Sequence, residues 1–256
     1  MLSSVTAIRY VAPLREGGSL PGLVEADDDG IYVCKFRGAG QGLKVLVAET
    51  MVGELARRLG IRVPDRRAVE LDVRIARYEA DEEVQDLLTA SVGLNLGLDF
   101  LPGAFGYDGS SPPPAAEAAR VLWLDAFTAN VDRTWSNPNL LVWHRATWCI
   151  DHGAALYFHH AWPRFGADPA KFAAQPYDAS THVLRGVAGD LGEVDAELSA
   201  MVDADLVSDV AAQVPDEWLE PAPGLADPDA VRAAYVEHLL ARVQPPRQWL
   251  PDGARP

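Results

Sequence analysis

The chain has 256 residues, 48% of them hydrophobic, enough to bury one large core or two lobes. Its formal net charge of −15 would repel a phosphate backbone over most of the surface, which excludes a nonspecific nucleic-acid binder. No segment approaches the ~20 apolar residues that span a bilayer, and residues 1–10 hold no apolar run of export-signal length, so a cytoplasmic protein with no membrane span is expected.

In chain order, residues 14–22 (LREGGSLPG) form a glycine-rich hairpin ahead of strand-like residues 23–26. The backbone N–H groups around Gly17, Gly18 and Ser19 are of the kind that approaches phosphate oxygens. Residues 30–36 (GIYVCKF) alternate and are β-branched or aromatic, so they read as a strand carrying Lys35. Lysine is scarce: Lys35, Lys44 and Lys171 are the only three, in a chain that otherwise uses arginine. Residues 44–59 have helical apolar spacing that stops at Gly60 and place Glu49 in the first turns, within reach of Lys35. A strand is expected over 68–72, a helix over 81–90 and a loosely alternating strand over 91–100. Residues 104–114, with Gly106, Gly109 and three successive prolines, read as an exposed loop, and 115–129 as a helix with Pro114 at its threshold.

Residues 123–158 organise the chain. Helical spacing ends at Ala129, and a polar loop containing Asp132 follows. Next come Asn137-Pro138-Asn139 and two short strands, 140–143 and 147–150, joined by a polar turn. Asp151-His152-Gly153 comes directly after the second strand, so hairpin geometry returns the chain to where it began and gathers Asp132, Asn139 and Asp151. Carboxylate and amide oxygens are the hard ligands that Mg²⁺ takes when it also holds phosphates, and a further carboxylate can orient an attacking hydroxyl. The same composition also describes an Asp/Asn turn capping a helix before an ordinary hairpin.

Cys34 and Cys149 fall in predicted core strands and read as buried free thiols. His159 and His160 are adjacent, point apart on a strand and do not make a metal pair. Residues 178–214 read as amphipathic helix with turns near 186–192, and Glu193, Asp195, Glu197, Asp203, Asp205 and Asp209 as its solvated face. A turn opens at Pro215, a last helix spans 227–243, and the tail 244–256 is expected to lie on the surface or fray.

Strand-borne Lys35, helical Glu49, ELARRLGIRVP (54–64), DFLPG (99–103), Asp132, Asn139 and Asp151 together resemble the HipA-like kinases, relatives of the serine/threonine and phosphatidylinositol kinases, over about residues 10–160. The resemblance implies an α+β, two-lobed, protein-kinase-like fold: a small β-rich N-terminal lobe over 1–100 and a mainly helical C-terminal lobe over 101–256. It implies ATP and Mg²⁺ as cofactors, with Lys35 on the α- and β-phosphates and held by Glu49, and Gly17, Gly18 and Ser19 over the phosphates. Asp99, Phe100 and Leu101 would offer backbone groups to adenine. Asp132 would be the catalytic base, and Asn139 and Asp151 the metal ligands. In related kinases the amide ligand follows the catalytic aspartate by about five residues, which selects Asn137, whereas the start of the Asn-Leu-Leu strand selects Asn139. The implied function is phosphoryl transfer to a hydroxyl of a protein or small molecule. The competing reading is a nucleotide-binding pseudokinase or interaction module. A pyridoxal-phosphate enzyme would need Lys35 as its Schiff base and a longer chain.

Overall fold

The computed structural model describes residues 1–14, 20–40, 42–77 and 79–251; Gly17, Gly18 and Ser19 lie outside them. Eight elements come first: β1 (Ser4–Pro13), β2 (Gly22–Ala26), β3 (Ile31–Lys35), α1 (Leu43–Arg58), β4 (Arg66–Leu71), α2 (Val73–Ala76), α3 (Glu82–Ala90) and β5 (Gly93–Asp99). The strands close a barrel in the order β1-β2-β3-β5-β4, antiparallel except where β1 runs parallel to β4. Sequence pattern does not announce β1, because its outward positions include exposed Ile8 and Val11 and blur the alternation. Leu14 N–H donates to the Pro21 carbonyl at 2.7 Å and ties together the two ends of the glycine-rich segment.

Val5, Val24, Cys34, Val69 and Leu88 fill one core between the barrel and α2–α3. A larger core starts on α1, whose Leu46, Val47, Met51, Val52, Leu55 and Ala56 are all buried, and runs to the C-terminal end of the chain. Helix α1 is apolar around most of its circumference because it is wedged between two bodies of protein. Gly53 sits where the buried Arg66 guanidinium lies against α1, and a Cβ there would come within 2.7 Å of Arg66 Nη1 and 3.2 Å of its Cδ. Helix propensity alone favours alanine at such a position. Here Glu54 holds Arg66 in place at 2.7 Å, so Gly53→Ala should destabilise by about 1–3 kcal/mol through overpacking. Thermal unfolding checks this, and a raised Tm would mean that Arg66 moves aside freely.

The second half holds β6 (Phe105–Gly106), α4 (Ala115–Thr128), β7 (Leu140–Trp143), β8 (Ala146–Cys149), a 3₁₀ turn at Tyr157–His160, α5 (Trp162–Phe165), α6 (Pro169–Ala174), α7 (Leu191–Met201), α8 (Ala204–Ala211), a 3₁₀ turn at Asp216–Trp218 and α9 (Pro228–Val243). Strands β6-β7-β8 form a small sheet in that order. No helix among the described residues is long and apolar enough to cross a membrane. Helix α4 buries Trp123, Leu124 and Phe127 and ends on Ala129 in the left-handed region (φ 56°), which turns the chain sharply into the Asp132 loop.

Five sequence expectations are corrected here. The 104–114 loop contributes the edge strand β6 and buries Tyr107 in the core. His159 and His160 lie on a 3₁₀ turn, and buried His159 Nδ1 meets the Tyr235 hydroxyl at 2.8 Å. Residues 178–190 form no α-helix, because their backbone is tied to the Asp132 loop instead. Asp195 is buried: it accepts from Trp123 Nε1 at 2.9 Å and pairs with Arg247 at 2.6 Å. That pair also holds down the described part of the tail, 244–251, where Trp249 and Leu250 are fully buried and Trp249 stacks edge-on against Trp123; residues 252–256 lie outside the described residues. Both cysteines are buried and free.

Candidate active site

Lys35 closes β3 just where its side chain turns inward, on the same strand face as Val33. Its ammonium donates to Glu49, two turns into α1, and to Asp151 Oδ1 at 2.7 Å, 116 residues further along. The Glu49 side chain is 1% exposed and that of Lys35 10%, whereas that of Asp151 is 46% exposed, so the pair opens toward solvent only on the Asp151 side. Burial disfavours the Lys35 ammonium, but the two carboxylates outweigh it and hold its pKa above the ordinary value. Burial also pushes the Asp151 carboxyl up, and Lys35 more than cancels this, bringing it to about 2. Glu49 moves the other way: burial raises its carboxyl, and Asp151 competes with it for the single ammonium. One cation shared by two carboxylates leaves net negative charge in the crevice, and a lysine ammonium with two donors engaged keeps a third for another anion.

Gly153 lets this junction close. A Cβ there would lie 2.7 Å from Val45 on α1 and 3.3 Å from Glu49 Oε1. Asp151 itself has a left-handed backbone (φ 54°), as does Asn139 (φ 50°), directly across the base of the β7–β8 hairpin, where Ile150 N–H donates to the Asn139 carbonyl at 3.0 Å.

Asp132 is half-buried on the loop after α4. Its Oδ2 accepts from Asn137 Nδ2 at 2.8 Å and from Asn139 Nδ2 at 3.2 Å. A carboxylate only accepts, so each amide turns its NH₂ to Asp132 and keeps its carbonyl oxygen for another partner. Asn137 is exposed and Asn139 is 8% exposed. At the end of β5, Asp99 N–H donates to the Asp65 carbonyl (2.8 Å) and Phe100 N–H to that of Ile31 (3.0 Å), so these two donors are already engaged. The Leu101 N–H makes no hydrogen bond among the described residues. Of the three residues expected at adenine, Leu101 is thus the one whose N–H is uncommitted among the described residues.

Among the described residues no three or more His, Cys, Asp or Glu side chains gather into a preformed metal cage. Mg²⁺ does not ask for one, since it binds through one or two carboxylates, waters and substrate phosphates. Asp151 and the free amide oxygen of Asn139 supply the hard oxygen donors that fit it.

Sequence reasoning missed a fully buried charged cluster behind this surface. Asp125 on α4 accepts from Arg133 Nε (2.5 Å), His182 Nε2 (3.0 Å) and Asn130 Nδ2 (2.9 Å). Asp125 lies in a helix whose spacing marks it only as apolar, and its separation from Arg133, eight residues across a helix end, carries no local signal. His152 is buried against Arg133, and burial together with that neighbouring charge lowers its pKa to about 3, so the ring is neutral.

A barrel strand offering a lysine, a helix pairing it with a glutamate, and a hairpin returning an aspartate to the same ammonium make up a kinase-like α+β arrangement. A family model described as HipA-like kinase matches residues 7–251, and the chain belongs to that family. No curated protein matches the chain. Among solved structures, the Helicobacter pylori proinflammatory kinase CtkA superposes with a TM-score of 0.53 at 9% identity, covering 94% of this chain and 98% of that one. The Golgi casein kinase gives 0.44 at 12% identity, covering 94% and 71%, and its form with Mn/ADP bound gives 0.47 at 12%, covering 94% and 72%.

Proposed function

We propose that the chain is an ATP- and Mg²⁺-dependent phosphotransferase acting on a hydroxyl of a protein or small molecule, with an N-terminal lobe over 1–100 and a helical lobe over 101–256. The observation that carries this reading is the Lys35 ammonium held between Glu49 on α1 and Asp151 after the hairpin. In this reading the third Lys35 donor meets the α- and β-phosphates, Leu101 N–H and the half-buried Val33 meet adenine, and Asp132 accepts the proton of the attacking hydroxyl. Asn139 is favoured over Asn137 as the amide ligand, because it is the more buried and adjoins Ile150 across the hairpin. Asn139 and Asp151 would hold Mg²⁺, whose positive charge would offset the negative charge of the transferred group. Bringing the Asp132 carboxylate and the phosphates together accounts for why two amides are spent on orienting one carboxylate.

Calorimetry with ATP, with and without Mg²⁺, tests the binding half of the proposal, and mass spectrometry for transferred phosphate tests the chemistry. Lys35→Met removes a charge-assisted contact and should weaken Mg²⁺·ATP binding about 10–100-fold. Unchanged affinity in that variant would sink the phosphate role of Lys35. Tight binding with no transfer to any protein or small alcohol would leave the pseudokinase reading standing instead.

A further inference from the structure

We infer that Arg133 is a positioning residue of the phosphoryl-transfer site: it sets the spacing between the Asn139 and Asp151 side chains, and Asp125 and His182 hold it in place. This rests on the reading of the site given above. The Arg133 side chain is 0% exposed, and its planar fork is used on three sides. Nε and Nη2 donate to the two Asp125 oxygens (2.5 and 3.3 Å), Nη1 donates to the carbonyls of Asn139 and of Ile150 (3.2 Å), and Nη2 faces His152 Nδ1 at 3.3 Å.

Those two carbonyls sit at the points that aim the ligands. Asn139 is itself left-handed, and the Ile150 carbonyl belongs to the peptide that leads into left-handed Asp151. Asparagine and aspartate enter that region more readily than other residues with a Cβ, so it is the bonds to these two carbonyls that select it over the extended alternatives here. A single guanidinium nitrogen that binds both carbonyls couples the two backbones, so neither ligand can relax without moving the other. The same residue follows Asp132 directly, which ties the proton-accepting loop to the two ligand positions.

Arg133 is in turn fixed by its counter-charge. His182 Nδ1 accepts the Leu184 N–H at 3.1 Å, so the ring proton lies on Nε2 and is donated to Asp125. Val183 N–H donates to the Arg133 carbonyl at 3.1 Å, and the Tyr177 hydroxyl donates to that of Asn130 at 2.8 Å. Residues 177–184 therefore strap the loop from outside, which explains their departure from the expected helix. A lysine gathers its three donors on one point charge and cannot span the separate positions from which Nε and Nη2 meet Asp125 and Nη1 meets the two carbonyls.

The test uses the full chain, ADP and Mn²⁺, with free Mn²⁺ followed by its paramagnetic resonance signal. Arg133→Lys should weaken Mn²⁺ binding in the ADP complex and lower kcat, each by about 10–100-fold, the loss typical when the partner that orients a ligand is removed. Binding of ADP without metal should stay within about twofold, because Arg133 touches no nucleotide-facing group. Millimolar guanidinium should restore part of the activity of Arg133→Ala. A folded Arg133→Lys protein with the Mn²⁺ affinity and kcat of the unaltered chain overturns the inference. Should neither variant fold, the arginine Nε–H resonance of Arg133 in the ¹⁵N-labelled unaltered protein decides: a shift on adding Mg²⁺·ADP supports the coupling, and its absence overturns it. An unaltered chain that binds neither ADP nor Mn²⁺ would bring down the site reading itself, whereas one that binds both beside an indifferent Arg133→Lys removes Arg133 alone.

Discussion

Exchanging Asp132 for asparagine should lower phosphoryl transfer by about 10²–10⁴-fold, the range that a positioned general base contributes, and leave the thermal unfolding temperature nearly unchanged. The carboxylate is half-buried, lies outside both hydrophobic cores, and is held by two amides and by its own N–H, which donates to Asn130 Oδ1 at 3.2 Å. Asparagine preserves the volume and one acceptor oxygen, so the loop keeps its shape while the group proposed to take the proton is lost. Single-turnover transfer at saturating ATP is the measurement of choice, because it separates the chemical step from nucleotide binding. A rate equal to that of the unaltered chain would remove Asp132 from the chemistry and leave its amides as ordinary turn contacts.

Asp125→Ala should cost about 3–5 kcal/mol of stability, because it strands the Arg133 guanidinium in a fully buried site with no counter-charge. Urea unfolding at neutral pH reads this directly, and a loss below about 1 kcal/mol would show that the pair is no more than surface-like. The effect also has a pH signature. Burial alone would raise the Asp125 carboxyl, but Arg133 and His182 overcome it and hold the folded-state pKa below the ordinary value. A carboxyl depressed on folding contributes stability that is present above its unfolded value of about 3.9 and is lost as pH falls toward the lower folded value. The difference in stability between the unaltered chain and Asp125→Ala should therefore be constant from pH 7 to about 5 and shrink below about 4. A gap that instead widened in acid would contradict the assigned charge state.

These two aspartates also show how unevenly the sequence exposes its own chemistry. Asp132 stands in a polar loop among asparagines, and turn composition draws attention to it at once. Asp125 sits within WLDAF, in a helix whose every neighbour is apolar, and nothing within one turn of helix supplies its partners. Arg133 comes from beyond the helix end and His182 from 57 residues away. The acid-rich stretch 193–209 misleads for the same reason in reverse. Charge periodicity places Asp195 on the solvated face with its neighbours, yet Arg247 and Trp123 Nε1 reach it from distant parts of the chain and bury it. Proline and glycine in the tail similarly suggest fraying, whereas Trp249 inserts beside Trp123 and Phe127.

By itself the sequence determined what depends on neighbours along the chain: the strand bearing Lys35, the long helix bearing Glu49, the hairpin that ends in Asp151, and the family pattern these make together. Local periodicity and turn chemistry specify such features within a dozen residues. Only the tertiary structure decided which charges are buried, which loop the 177–184 segment straps, and that one guanidinium joins the Asn139 and Ile150 carbonyls. Those outcomes depend on what stands opposite each residue in space. Burial converts a group that water would leave indifferent into one that must find a partner, however far along the chain that partner lies.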